Sequence, residues 1–317
     1  MFRRHFIKLG LIATILFPLT GNTADLTPYR VGYNSWIGYI SLFVGQEKGY
    51  FKDEGIDLQT RSFSSPGDGL TPLLAGQLDA AFTTADSVIT VLDKAPGKFK
   101  IVYLTDSSAG ADAILAKKEF KSMKDLKGKT VAATAGQCNE LLLRKALSSV
   151  GMTTNDINMI NMNPDDAGTA FAAGKLDAAV TWEPWISKVE GEKKGHVVFS
   201  SKQTPSLILD VVAISSKGEK EAATTAAFLR ALNKANEFAI KHPKEAAKLS
   251  AKALEQTPEE VLGMLPKVNL YGKAANFEQV KTTAASSAKD LAKFFKEVKV
   301  NDTLVDTSDL YDMSYLK

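Results

Sequence analysis

Short apolar runs alternate with longer stretches in which apolar residues recur every three or four positions, from residue 29 to residue 215. The short runs predict buried β-strands, and the recurring positions predict amphipathic helices. Glycines such as Gly49, Gly55 and Gly151 stand between these segments and mark turns. Because strands and helices alternate along the chain, the pattern predicts an α/β fold of packed helix and sheet layers.

The motif AGQLDAAFT at residues 75–83 returns as AGKLDAAVT at residues 173–181, with seven of nine positions identical. Coincidence is the alternative, since this is a common helix-to-strand junction. The matching order of the flanking elements favours two β-α-β-α-β units instead, with predicted strands at 29–33, 56–62, 80–83, 130–134, 158–162 and 178–181. Two such units predict two open sheets that face one cleft.

The second unit is followed by a predicted strand at 211–215 and then by a helical tail, with helices at 222–241, 244–254, 258–265 and 277–296. We expect the tail to pack back on the first unit, with crossovers near residues 106–112 and 205–210. The predicted organisation is therefore a first lobe formed by residues 25–110 and 211–317 and a second lobe formed by residues 111–210.

The N-terminus has the three parts of a secretory signal peptide. Arg3, Arg4 and Lys8 precede an apolar run over residues 9–19, and a small-residue cleavage site ends at Ala24. The run is too short for a membrane span, which needs about 20 residues, and a buried first helix is the less favoured alternative. Residues 1–24 are therefore predicted to be removed on export to the periplasm.

Charge and cysteine content exclude several classes of protein. Removal of the signal leaves 36 basic and 36 acidic residues, so no basic field indicates nucleic-acid binding. Cys138 is the single cysteine, which excludes an intrachain disulfide and a cysteine-based metal cluster. We expect a monomer that needs no metal and no cofactor.

Candidate ligand-binding residues follow the predicted strands, because helix N-termini and backbone N–H groups meet ligands at the carboxyl ends of strands. They are Asn34, Ser35, Trp36, Tyr39, Ser64, Asp86, Asp112, Gln137, Trp182, Glu183, Trp185 and Asp210. Several have a second interpretation at this stage. Trp36 fits either a cleft wall or the core, and Asp86 fits either a cation site or a helix cap.

The acidic candidates indicate the chemistry of the ligand. Two tryptophans flank Glu183, an arrangement that can enclose a cationic head. Asp210 interrupts an apolar run, where a carboxylate needs a partner. Basic residues are nearly absent from these strand ends. A small amine, a guanidine-like cation or an aminosulfonate therefore fits better than simple nitrate or sulfate.

Four segments resemble the taurine, aliphatic-sulfonate and nitrate binding proteins of ABC importers and the related binders of thiamine pyrimidine precursors. They are GYFKDEGIDL (49–58), AGQLDAAF (75–82), KDLKGKTVA (124–132) and AAVTWEPW (178–185). The resemblance implies the two-lobed, type II-like periplasmic binding fold with two crossovers. It also implies delivery of a small solute to a membrane permease and its ATPase. In the taurine binders a matching aspartate contacts the ligand amine, which implies that role for Asp210.

An enzyme is the main competing prediction, since the resembling family has a fungal branch that makes the thiamine pyrimidine. That branch carries a cysteine-rich motif and a cofactor lysine, whereas this chain has one cysteine. Its histidines, His5, His196 and His242, follow no predicted strand end, so acid–base and metal chemistry lack their usual donors. A binder of pyrimidine precursors stays open as the alternative ligand class.

Overall fold

The computed structural model of the chain describes residues 26–316. The predicted signal peptide, residues 1–24, lies outside the described residues. Within them, no helix is both long enough and apolar enough to cross a bilayer.

Eleven strands within the described residues form two separate sheets. They are β1 (Thr27–Asn34), β2 (Ile56–Phe63), β3 (Ala80–Thr84), β4 (Phe99–Ser108), β5 (Asp112–Ala116), β6 (Thr130–Ala133), β7 (Asn158–Asn161), β8 (Ala178–Trp182), β9 (His196–Ser200), β10 (Leu209–Ser215) and β11 (Val268–Leu270). The first sheet has the order β11-β4-β10-β3-β1-β2 and the second β7-β6-β8-β5-β9. We call each sheet, with the helices packed on it, lobe 1 and lobe 2.

Thirteen α-helices in the described part of the chain cover the sheets. They are α1 (Ile40–Glu47), α2 (Tyr50–Asp53), α3 (Leu70–Leu74), α4 (Ala85–Leu92), α5 (Cys138–Ser148), α6 (Pro164–Ala172), α7 (Trp185–Gly191), α8 (Ser216–Lys220), α9 (Ala222–Lys241), α10 (Pro243–Ser250), α11 (Pro258–Met264), α12 (Lys273–Gln279) and α13 (Ala285–Glu297). The predicted α/β class with two sheets is confirmed. One predicted helix, 277–296, is instead two, because α12 begins directly after Gly272 and a π-helical turn over Val280–Ala284 separates it from α13.

The two lobes contain the same β-α-β-α-β unit, with the same strand pairing and an equivalent side-chain hydrogen bond. In lobe 1, β1 pairs in parallel with both β2 and β3, and in lobe 2, β6 pairs in parallel with both β7 and β8. Thr83 donates its hydroxyl to the Pro66 carbonyl at 2.7 Å. At the same 98-residue offset, Thr181 donates to the Pro164 carbonyl at 2.7 Å. The repeated motif therefore marks a repeated three-dimensional junction.

Burial explains why β3 and β8 contain only small or apolar residues. Every residue of both strands is buried, as expected for central strands covered on both faces. The helical tail packs on lobe 1, where Phe228 of α9 stacks on Tyr29 with ring centroids 4.8 Å apart. Asn276 of α12 bonds both backbone groups of Leu104 in β4. The tail is thus part of the lobe 1 core.

The chain passes between the lobes twice, and the two passages are bonded to each other. Ser108, at the end of β4, and Ser201, just after β9, have hydroxyl oxygens 2.7 Å apart. The Gly110 backbone N–H donates to the Ser201 hydroxyl at 2.7 Å. Gly110 has a φ of +119°, a conformation that side chains disfavour. These bonds hold the two passages side by side.

Candidate functional site

A small cavity lies where the carboxyl ends of the parallel strands of both lobes meet. Its volume is about 10 Å³, and it is lined by Asn34, Trp36, Pro66, Thr84, Asp112, Cys138, Trp182, Ile208 and Asp210. Five of these are sequence candidates: Asn34, Trp36, Asp112, Trp182 and Asp210. Larger grooves exist, including one of about 780 Å³ between α7 and α11, but they lie on the surface.

Asp112 and Asp210 line this cavity, and two further buried carboxyl groups lie behind its lining: Asp106, bonded to Trp36, and Asp86, two residues after Thr84. We call these four groups the cleft carboxylates. All four are at most 2% exposed. Asp106 accepts hydrogen bonds from the Trp36 indole at 3.1 Å and from the Thr105 hydroxyl at 3.0 Å. Both side-chain oxygens of Asp86 have no partner among the described residues, and neither does one oxygen each of Asp112 and Asp210. The cluster is therefore rich in unpaired acceptors.

No basic side chain of the described residues forms an ion pair with any cleft carboxylate. Burial, which removes the hydration of the ionised form, raises the pKa of Asp86, Asp106 and Asp112 to about 7 each. Burial, followed by repulsion from Asp106 and Asp112, raises the pKa of Asp210 well above its usual value. The ionised forms of these groups therefore lack a compensating charge among the described residues, and a bound cation would favour them.

Glu183 has a different environment from the cleft carboxylates. Lys267 of lobe 1 donates to its Oε1 atom, which makes an ion pair between the lobes. Ser187 donates its backbone N–H to the other oxygen at 3.1 Å and its hydroxyl to Oε1 at 3.0 Å. Both carboxylate oxygens are therefore occupied by protein groups, in contrast to the sequence interpretation in which Glu183 meets a ligand.

Three further candidates, Tyr39, Gln137 and Ser64, do not line the cavity. Tyr39 donates its hydroxyl to Asp210 at 2.8 Å. Gln137 of lobe 2 accepts from the Gly67 N–H at 3.0 Å and donates to the Ser65 hydroxyl at 3.1 Å, so it joins the lobes. Ser64 is exposed, and its neighbour Ser65 takes the buried position.

Two further candidates, Ser35 and Trp185, line a second groove of about 420 Å³ beside the cavity. Trp185 turns its indole N–H to Asp165 at 3.0 Å. The two tryptophans that flank Glu183 in sequence bond the same Asp165 oxygen, but only Trp182 lines the inner cavity.

Asp106 is the main site residue that the sequence analysis missed. It occupies β4 within the run Ile101–Ser108, where every residue is buried. This is the same signal that identified Asp210, a carboxylate inside an apolar strand.

Residues 26–316 contain no group of three or more His, Cys, Asp or Glu side chains arranged to hold a metal ion. Cys138 lines the cavity and is fully buried. Burial raises the pKa of its thiol well above the usual value, as does repulsion from Asp86 and Asp112. The thiol is therefore protonated at neutral pH and is a poor nucleophile.

Two α/β lobes, two passages between them and a buried cavity at their junction define the periplasmic binding protein fold. The alkanesulfonate-binding protein SsuA from Xanthomonas axonopodis pv. citri, solved with bound MOPS, has the same fold. It matches this chain with a TM-score of 0.76 and 18% identity, over 91% of this chain and 99% of that protein.

The chain belongs to the NMT1/THI5-like family, whose model matches residues 36–246. A Brucella abortus (strain 2308) protein, provisionally named a binding protein, is 29% identical over 98% of this chain and 92% of its own length. A Bacillus subtilis (strain 168) protein, provisionally named an aliphatic sulfonates-binding protein, is 26% identical over 98% of this chain and 96% of its own length.

The formylaminopyrimidine-binding protein of Halalkalibacterium halodurans is 25% identical over 65% of this chain and 63% of its own length. These three relatives and this structural neighbour carry the names of binding proteins. Together with the fold, they support a solute-binding role for this chain.

Proposed function

We propose that this protein is the solute-binding subunit of an ABC importer and that it captures a small, positively charged or amine-bearing solute between its lobes. It acts in the periplasm and delivers the solute to a membrane permease and its ATPase. The observation that carries the proposal is the set of four cleft carboxylates, buried and without a basic partner among the described residues.

The energetics favour a cation over a bare anion. A buried carboxylate loses its hydration, and a bound cation with N–H donors restores both charge balance and hydrogen bonds. A sulfonate offers only acceptors and requires cations or several N–H donors around it. The residues that line the cavity include no Lys, Arg or His. An aminosulfonate fits if its amine, rather than its sulfonate, meets the cleft carboxylates.

Entry of any such solute requires the lobes to separate. The cavity of about 10 Å³ has room for roughly one water-sized group. The bonds that Lys267 makes to Glu183, and Gln137 to Ser65, run between the lobes and break when they part. Hinge opening and closure around a ligand is the usual motion of this architecture.

An amine-bearing pyrimidine is the second candidate ligand, and one observation favours it. Trp36 of lobe 1 and Trp182 of lobe 2 both line the cavity, with ring centroids 6.1 Å apart and planes at 57°. Two indoles from opposite lobes can close on a flat ring. The amino group of the pyrimidine would bind the same carboxylates. Both candidate ligands therefore carry a cationic or N–H-donating group.

A thermal-shift screen tests the proposal with ethylammonium, guanidinium, taurine, ethanesulfonate and 4-amino-5-hydroxymethyl-2-methylpyrimidine. Binding to the native state raises the melting temperature by mass action. We expect shifts with compounds that carry an amino or guanidino group and none with ethanesulfonate. A shift with ethanesulfonate that taurine does not exceed would contradict the proposed ligand class, and turnover of a bound compound would contradict a binding role.

A further inference from the structure

One oxygen of Asp165 accepts hydrogen bonds from two tryptophans. The indole N–H of Trp182 donates to Asp165 Oδ1 at 2.9 Å, and that of Trp185 donates to the same atom at 3.0 Å. Trp182 is 2% exposed and forms the lobe 2 wall of the cavity. Asp165 lines the neighbouring groove of about 420 Å³ and not the inner cavity, so its effect on a solute in the inner cavity acts through Trp182.

The position of Asp165 is rigid because its helix is fixed to the strand that ends in Trp182. Asp165 is the second residue of α6, and the preceding Pro164 carbonyl accepts from Thr181 of β8 at 2.7 Å. The Asn163 side chain caps the same helix at the backbone N–H of Asp166, at 2.9 Å. Farther along α6, a Cβ atom at Gly168 would lie 2.3 Å from the Trp185 ring, so this ring lies directly on the helix.

Comparison with lobe 1 shows that this arrangement departs from the repeat. At the 98-residue offset, Gly67 takes the place of Asp165 and Thr84 takes the place of Trp182. Gly67 instead donates its N–H to Gln137 of lobe 2 at 3.0 Å. The duplicated unit therefore folds without a Trp–Asp pair, and lobe 2 carries the pair at the wall of the cavity.

We propose that Asp165 is a positioning residue that fixes the Trp182 indole and thereby sets the size of the cation the cleft accepts. An indole held by its N–H cannot turn about its side-chain bonds, so its ring stays against Trp36 and the cavity stays small. A carboxylate beside the N–H also increases the electron density of the ring face, which favours a cation on that face. The consequence for binding rests on the proposed function, whereas the positioning itself does not.

Indole N–H resonances test the positioning in the intact protein without a ligand. The chain has three tryptophans and thus three indole cross-peaks, which single Trp→Phe variants assign. In Asp165→Ala we expect the Trp182 and Trp185 peaks to shift and the hydrogen exchange of the Trp182 N–H to rise at least about tenfold. The Trp36 N–H should keep its slow hydrogen exchange, because it bonds Asp106.

Two variants separate positioning from loss of the fold. Asp165→Asn keeps an acceptor oxygen and should retain slow exchange at Trp182. Thr169→Ala changes an exposed side chain of the same helix and should leave all three peaks unchanged. Unchanged exchange of the Trp182 N–H in Asp165→Ala would overturn the inference, as would an equal change at Trp36.

Affinities for methylammonium and tetramethylammonium test the consequence for selectivity. We expect the wild-type protein to prefer the smaller ion and Asp165→Ala to reduce that preference roughly tenfold, in the range of coupling between contacting residues. In the Trp182→Phe background, the same Asp165→Ala change should have no further effect. If neither ion binds the wild-type protein, the proposed ligand class fails, and indole exchange alone decides the positioning.

Discussion

The Tyr39 hydroxyl donates a 2.8 Å hydrogen bond to Oδ1 of Asp210, and the second oxygen of Asp210 has no partner among the described residues. Tyr39 follows β1, whereas Asp210 lies in β10, 171 residues later. The bond holds a half-satisfied carboxylate at the wall of the cavity between the lobes. The unpaired oxygen is where a ligand donor would be expected to bind.

Replacement of Asp210 by Asn should weaken the binding of an amine-bearing ligand by about 2–5 kcal/mol, the usual cost of removing one side of a buried charge pair. The ligand-free protein should lose no stability, because the substitution also relieves repulsion from Asp106 and Asp112. Titration calorimetry and urea unfolding of the same sample measure the two effects.

The exposed Asp290→Asn variant is the matched control and should bind and unfold like the wild type. Wild-type affinity in Asp210→Asn would show that this carboxylate is not a ligand contact. A large loss of stability without ligand would show instead that Asp210 has a structural role.

The stability of the ligand-free protein should fall as pH rises through the neutral range. Folding raises the pKa of Asp86, Asp106 and Asp112 from 3.8 to about 7, so the native state binds protons more tightly than the unfolded state. Their stabilising contribution is complete below about pH 4 and is lost as pH rises through about 7. Urea unfolding at pH 5 and pH 8 measures it.

Between pH 5 and pH 8 the stability of Asp106→Asn should depend less steeply on pH than that of the wild type, since one titrating group is removed. Stability that rises between pH 5 and pH 8 in the wild type, with no change of slope in the variant, would be inconsistent with buried, unpaired carboxyl groups.

Cation affinity should have the opposite dependence on pH. A cation binds the ionised carboxylates, so affinity for ethylammonium should increase from pH 5 to pH 8 as the cleft carboxylates lose their protons. Calorimetry in two buffers of different ionisation enthalpy should also detect proton release on binding near pH 6. Affinity that is independent of pH, with no proton release, would place the ligand away from the cluster.

Loss of the Lys267 amine should favour a conformation in which the two lobes are farther apart. The Glu183 side chain is fully buried, and Lys267 of lobe 1 is its basic partner across the lobe junction. In Lys267→Met we expect a larger radius of gyration by small-angle X-ray scattering, which a saturating ligand reduces. Lys124→Met, an exposed position in lobe 2, is the control, and a scattering profile identical to the wild type in Lys267→Met would refute this role.

The mature protein should begin at or near Asp25. Arg3, Arg4 and Lys8, the apolar run and the small residues up to Ala24 are typical of a cleaved signal. Mass spectrometry of a periplasmic extract reads the N-terminus directly. A full-length mass in that extract, or protein confined to the cytoplasm, would refute export with cleavage.

The repeat made most of the fold predictable, because AGQLDAAFT and AGKLDAAVT identify two copies of one unit. Short non-repeated strands such as β9 and β11 had no such signal and were not predicted. Asp210 could be identified from its apolar surroundings alone, and Asp106 carried the same signal. The partner of Glu183 could not be predicted from the sequence, since Lys267 follows it by 84 residues and belongs to the other lobe.

The same limit applies to Asp165, whose role depends on two indoles 17 and 20 residues away. In the sequence it is one of two adjacent acidic residues at a helix start, a common helix-capping arrangement. Local patterns therefore predicted which strand ends form the cleft, while the pairing of side chains across it depends on the folded lobes. The predicted lobe boundaries, 25–110 with 211–317 and 111–210, stay a prediction.

The most direct test of the central claim compares three two-carbon compounds by titration calorimetry at pH 7.5: taurine, ethylammonium and ethanesulfonate. They carry both groups, the amine alone and the sulfonate alone. A cleft of unpaired carboxylates predicts that the two amines bind, that both lose affinity in Asp210→Asn and that ethanesulfonate gives no heat of binding. Binding of ethanesulfonate as tight as that of taurine, undiminished in Asp210→Asn, would contradict the account.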